Sequence, residues 1–285
     1  MKLYVDGIGL FAPGLHGWAD LAAILRGERR YEGGELPAFD HAVLPATERR
    51  RAGKSIKLAV DLAGQAVRAA GIDPTEPAIV FASTTGDTEV LTDICAALAT
   101  EDRMISPMRF HNSVHNAASG YWTIAVGSRQ PANAIALHER TAAAGLLEAA
   151  VQVVAEGIPV LLAVYDIPFP PPLNAAEPIA TVFGASLLLR PEPTTHTLAE
   201  LTIERTKEDG GAADTMHDPE LETLRRGVPA ARILPLLQAL AGDSGTTVTL
   251  DYLAGQCVRI AVMPVRTAAH NNPNNQANQT PEAQP

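Results

Sequence analysis

The chain has 285 residues, of which 46% are hydrophobic, 5% aromatic and 19% charged, enough apolar material for one sizeable core. Many alanines and few aromatics suit close helix–sheet layers better than a large β-sandwich. A net charge of −10 with only two cysteines argues against nucleic acid as the main partner and against a disulfide framework.

The opening MKLYVDGIGL reads as a strand rather than a cleavable leader, and no apolar run is long enough to span a membrane. The expectation is a soluble cytoplasmic protein. Residues 3–10 alternate and end at Pro13-Gly14, which predicts a first strand; 18–26 has helical apolar spacing through Trp18, Leu21, Ala22 and Leu25. Gly7 and Gly9 do not complete a dinucleotide fingerprint, because no helix opens directly after them. Residues 31–45 are loop. The spacing over 46–70 predicts one long helix, closed by Gly71 ahead of Asp73-Pro74. Its start carries Arg49, Arg50, Arg51 and Lys54, a basic patch in an acidic chain. Gly53-Lys54-Ser55 is no phosphate loop, since Glu48 stands where the first glycine belongs and no strand precedes it. Residues 78–83 predict a buried parallel strand. A helix over 89–100 follows, with Cys95 expected as a core thiol.

The stretch 105–147 organises the rest: ISPMRFHNSVHNAASGYWTIAVGSRQPANAIALHERTAAAGLL. A Ser-Pro turn leads into a small-residue helix carrying Asn112, His115, Ala118, Gly120, Tyr121 and Trp122. Arg129-Gln130-Pro131 turns the chain, a strand over 132–137 ends at His138-Glu139, and a second small-residue helix starts near Thr141. Small residues let backbones approach closely. A strand that stops before a helix N-terminus presents its last residues for chemistry. The pattern is that of a buried strand–elbow–helix site with no obvious nucleophile.

Beyond it, a helix over 142–156, a strand over 158–165, a Pro-rich loop over 166–176, a Gly-containing segment over 179–189 that ends in a strand, and a strand over 198–205 continue the strand–helix alternation of an α/β layered fold. A polar loop over 206–218, helices over 219–226 and 230–240 and a hairpin of 246–252 with 256–263 follow. From 266 the chain is too polar to order itself.

On these residues the chain resembles the N-terminal half of a β-ketoacyl synthase, in the thiolase-like family: Ser106-Pro107 before the helix, the turn at 129–132, and the strand ending at the elbow. The run His111-Asn112-Ser113-Val114-His115-Asn116-Ala117 resembles the short synthase-like proteins of aryl polyene and xanthomonadin-type pathways, often called chain-length factors. The resemblance implies a thiolase-like layered fold with a much shortened C-terminal half. It divides the chain into a synthase-like domain over 1–205, a shortened segment over 206–264 packed on it, and a disordered tail over 265–285. It also puts Glu139 where the family has its acyl-carrying cysteine. Condensation needs a thiolate at a helix N-terminus and two histidines from the second half to stabilise the enolate. Between Arg205 and the tail there is only His217. A carboxylate cannot replace the thiol, since a mixed anhydride is too reactive to carry a chain.

The resemblance therefore implies a catalytically silent subunit, with no cofactor and no metal. It would act as a chain-length or assembly factor, paired with a β-ketoacyl synthase or with itself through 110–137. Phe110, Val114, Ala118, Tyr121 and Trp122 would set the depth of an acyl tunnel. Arg49, Arg50, Arg51 and Lys54 would meet an acyl carrier protein. Two other functions fit the same residues: a small acyl-thioester hydrolase or transferase using His138, Glu139 or His115, with Ser113 or Ser119; or a homodimeric carrier-protein binding module. His111 and His115 are four apart, as in a zinc-binding helix, but Asn112 replaces the glutamate of that motif and a third ligand is lacking. Gly242-Asp243-Ser244-Gly245 is a turn.

Overall fold

The structure, a computed structural model, describes residues 1–207 and 213–265. The expected polar tail therefore lies outside the described residues, Val265 apart, as does the middle of the 206–218 loop. Among the described residues eight strands form one sheet, in the order β3-β2-β4-β5-β1-β6-β8-β7. They are β1 (Lys2–Phe11), β2 (Ala78–Ala82), β3 (Ala132–Ile135), β4 (Val160–Asp166), β5 (Phe183–Arg190), β6 (Ala199–Lys207), β7 (Thr246–Asp251) and β8 (Gln256–Pro264). β2 runs parallel to β3 and β4, and the remaining pairings are antiparallel. This is the α/β layered architecture expected from the alternation.

Helices cover both faces. They are α1 (Trp18–Leu25), α2 (Ala46–Arg51), α3 (Lys54–Ala70), α4 (Thr88–Leu98), α5 (Pro107–Asn112), α6 (Ala117–Val126), α7 (Thr141–Glu156), α8 (Pro219–Gly227) and α9 (Leu234–Ala241). One face packs α3 against β1, β4 and β5, with α6 beside it over β2 and β3; its core holds Phe11, Ile56, Leu62, Phe81, Trp122 and Leu188. The other packs α7 against β2 and β4, and α9 against β7 and β8. Two glycines of β1 allow α3 its approach. A methyl at Gly7 would collide with the Ala66 carbonyl, and one at Gly9 would lie 2.7 Å from the Leu62 carbonyl. The pair thus has a packing reason. Among the described residues no helix is long and apolar enough to cross a membrane.

Four expectations need correction. The predicted helix over 46–70 is two helices, because Ala52 (ψ 124°) and Gly53 (ψ 175°) are extended. Tertiary contact wins over helical periodicity there. Ser55 Oγ donates to the Gly86 carbonyl at 2.9 Å, and any side chain at 53 would strike the Asp87 carboxylate. The small-residue helix of the central stretch is likewise broken, at 113–116, into α5 and α6. Polar residues at and inside that gap bond to distant segments: Asn112 to the Arg51 carbonyl and His115 to the Ser83 carbonyl. The strand before the elbow is shorter than expected and is the half-exposed edge strand β3, not a buried one. Cys95 is exposed, not a core thiol. Only Thr88 and Val90 of α4 are buried, and the rest of the helix projects outward.

Candidate functional site

The chain leaves β3 through an elbow. Leu137 is followed by His138 at φ 51°, in the left-handed region, and a short 3-10 turn, His138–Arg140, leads into α7. A non-glycine residue there costs on the order of 1 kcal/mol, so neighbouring bonds must hold it. Thr84 Oγ1 and Thr141 Oγ1 donate to the His138 carbonyl at 2.9 and 2.7 Å. Leu137 N–H donates to Thr141 Oγ1 at 2.9 Å, and Arg140 N–H to the Leu137 carbonyl at 2.9 Å. Strain thus falls on His138, one residue before Glu139. The His138 side chain is 68% exposed and its Nε2 lies 3.1 Å from Glu177 Oε1. Glu139 faces Arg232 at 3.5 Å. Beside Glu139, Arg140, Arg225 and Arg232 the structure leaves about 20 Å³, room for about one water and far too little for an acyl chain.

Behind the elbow lies a residue that the sequence pattern did not single out. Asp166, the last residue of β4, is 1% exposed. Its Oδ1 accepts from Thr84 N–H at 2.8 Å and Ser83 Oγ at 3.3 Å, and its Oδ2 from Ala230 N–H at 2.8 Å. Burial pushes its carboxyl up to about 7, against the downward pull of these donors. In the sequence it is only a lone acid closing the apolar run VLLAVYD, which carries no pattern of its own. His115 reaches the same loop from another side, its Nε2 2.8 Å from the Ser83 carbonyl. The loop over 83–86 therefore contacts both His115 and His138, the two candidate histidines.

A second feature is an open groove of about 440 Å³ lined by Pro107, Phe110, Val114, Gly120, Tyr121 and Ile124, with Glu48 and His111 at its side. Phe110 is 66%, Val114 52% and Ile124 68% exposed, an apolar surface of a kind that marks interaction sites. Tyr121 forms a wall. Its phenol, pushed up by burial, donates to Asn112 Oδ1 at 3.1 Å. Ala118 and Trp122 are buried instead, in the core that includes α3. The five residues expected along a tunnel therefore divide into three that face the groove and two that pack behind it.

The basic patch borders this groove, because Asn112 Nδ2 also donates to the Arg51 carbonyl at 2.9 Å. Its charges are partly engaged. Arg49 donates to the carbonyls of Ala42 and Leu44, and Arg50 to that of Ala46. Arg51 lies 3.7 Å from Glu48, and Lys54 2.6 Å from Glu89. Exposed pairs of this kind are weak, so the guanidiniums stay open to exchange partners.

The remaining constellations do not assemble. His111 lies on α5 and His115 beyond its end; among the described residues no group of three or more His, Cys, Asp or Glu is placed to hold a metal ion. Ser113 and Ser119 each donate to the carbonyl three residues back, Phe110 and Asn116, and neither bonds His138 or Glu139. His217 is exposed in the loop before α8.

Three comparisons bear on this geometry. The family model described as "Beta-ketoacyl synthase, N-terminal domain" matches residues 25–231. No curated protein matches in sequence alone. Among solved structures, a chain of "Ketosynthase (ApeO) in Complex with its Chain Length Factor (ApeC) from Xenorhabdus doucetiae" superposes with TM-score 0.67 at 21% identity, over 92% of this chain and 99% of that one. "The ishigamide ketosynthase/chain length factor" gives TM-score 0.68 at 14% identity, over 93% and 100%. A β-ketoacyl synthase from Burkholderia phymatum gives 0.67 at 12% identity, over 93% and 100%. At these identities the likeness is one of fold.

Proposed function

Because the chain belongs to the β-ketoacyl synthase N-terminal domain family, we propose that it is a catalytically silent synthase-like subunit. It assembles with an active β-ketoacyl synthase as a chain-length or assembly factor in polyketide-like or aryl polyene biosynthesis, in the cytoplasm. One observation supports this: the elbow, which the resemblance sets where the family keeps its thiol, carries His138 and Glu139 and no cysteine. Cys95 lies on exposed α4, and Cys257 is buried in β8. The space directly beside Glu139 is one water in size, whereas larger open grooves lie on the α5–α6 surface and along Ile135, Leu137 and Leu147. An apolar chain held in the α5–α6 groove would be enclosed only once a second subunit covers Phe110, Val114 and Ile124.

The ApeO–ApeC and ishigamide structures are ketosynthase–chain length factor assemblies by their own description, which supports the same reading. Arg50 and Arg51 beside the groove suit an acidic acyl carrier protein as a further partner. Co-purification with the ketosynthases of the same cell, read by mass spectrometry and light scattering, tests the assignment. A stable one-to-one complex with a cysteine-containing synthase is expected, and condensation of acyl and malonyl thioesters by this chain alone would refute it. The 3.1 Å contact of His138 Nε2 with Glu177 Oε1 favours one rival, thioester hydrolysis by an activated water. The same preparation decides it: hydrolysis lost in His138→Ala would establish the rival.

A further inference from the structure

The left-handed backbone at His138 is held by bonds that lead back to one buried carboxyl. The His138 carbonyl takes its hydroxyl partners from Thr141, within its own helix start, and from Thr84, on a separate loop. Thr84 is placed by its backbone N–H, 2.8 Å from Asp166 Oδ1. The same loop is closed by Ser83, whose Oγ contacts Asp166 Oδ1 at 3.3 Å and accepts from Gly86 N–H at 3.1 Å. Asp166 Oδ2 holds Ala230 N–H at 2.8 Å. That bond fixes the 3-10 segment Pro229–Ile233, whose Arg232 faces Glu139. Asp166 itself cannot drift, since it pairs in the sheet with Phe183. One side chain therefore sets both supports that flank residues 138 and 139.

We infer that Asp166 is the positioning residue of this elbow, holding His138 in its left-handed conformation through Thr84 and so fixing His138 as the side chain that the elbow presents. An isolated structural carboxylate would stabilise whatever element lies nearest. Here each acceptor oxygen is directed to a segment that touches the elbow. The inference does not depend on which partner the chain assembles with.

The test uses the isotope-labelled full chain. The Cα and Cβ chemical shifts of His138 report its φ, and amide exchange is followed at 83–86, 137–141 and 229–232. Thr84→Val removes the hydroxyl but keeps the backbone bond to Asp166; Thr84→Ser restores the hydroxyl. Asp166→Asn presents an amide N–H₂ to one of two backbone N–H donors. Expected are His138 shifts that leave left-handed values in Thr84→Val and return in Thr84→Ser. Exchange should rise about tenfold at 137–141, the scale of one lost hydrogen bond, with β1 and β5 unchanged. His138 shifts unaltered in Thr84→Val would overturn the inference. So would exchange rising evenly along the chain in Asp166→Asn, which would assign the carboxyl to general stability. Should Asp166→Asn not fold, Asp166→Glu, which displaces the carboxyl by one methylene, takes its place, and His138 shifts and 137–141 exchange unaltered in it would overturn the inference.

Discussion

Tyr121 donates its phenolic proton to Asn112 Oδ1 at 3.1 Å, while the Asn112 amide holds the Arg51 carbonyl at 2.9 Å. The asparagine is 3% exposed and joins α6, the wall of the groove, to α2, which carries the arginines. Asn112→Ala leaves a buried phenol and a carbonyl without their partner, a loss of about 1–3 kcal/mol. Chemical denaturation should show that loss. The groove and the basic helix should also lose their fixed relation, so binding to a carrier protein or synthase should weaken by more than stability alone accounts for.

Phe110 and Trp122 separate surface from core. Trp122→Ala removes a 1% exposed indole from the packing under α3 and should cost about 3–5 kcal/mol. Phe110→Ala acts on a 66% exposed ring and should change the melting of the free chain by less than about 0.5 kcal/mol. If the α5–α6 face meets a synthase, Phe110→Ala should still weaken that complex on the order of thirtyfold, as aromatic anchors do. Calorimetry of the free chain and titration of the complex read the two effects apart. Equal effects on both would remove the face from the interface.

The contrast also shows what the sequence could tell. The strands were readable because β2, β4 and β5 are apolar runs buried on both faces. The break at 52–53 was not, because it depends on Asp87 and Gly86, more than thirty residues away. Phe110 and Trp122 look alike in a small-residue helix. They fall on separate helices either side of the break at 113–116, one on the surface and the other inward. Cys95 sat among Ile, Ala and Leu, yet it falls on the exposed side of α4. Asp166 was invisible for the opposite reason. A single acid ending a strand has no periodicity, and its meaning comes from Thr84 and Ala230, both more than sixty residues distant.

His138→Gly should make the chain more stable. Glycine adopts φ 51° without the steric cost that histidine bears, and the His138–Glu177 pair is largely exposed and worth little. The expected gain is about 1 kcal/mol, or about 2 °C in Tm for a chain of this size, read by thermal unfolding. A loss of similar size would show that the imidazole itself holds the elbow.

Asp166 gives the chain a pH dependence of defined sign. Its folded-state carboxyl is raised by burial from 3.8 to about 7, so the folded protein holds a proton that the unfolded chain releases. Its contribution is therefore complete below pH 3.8 and is lost as pH rises through about 7. The whole window corresponds to about 4 kcal/mol, at about 1.4 kcal/mol for each pH unit crossed. Other buried acids move the same way, Asp61 and Asp87 among them, so the wild-type curve alone does not isolate Asp166. The difference between wild type and Asp166→Asn does, because asparagine does not titrate. Urea unfolding of both between pH 4 and pH 8 should show the wild type losing ground steadily up to neutrality and then levelling. A flat difference would mean that the hydrogen bonds from Thr84, Ser83 and Ala230 keep the carboxylate charged throughout. Asp166 would then hold its three donors as a permanent anion.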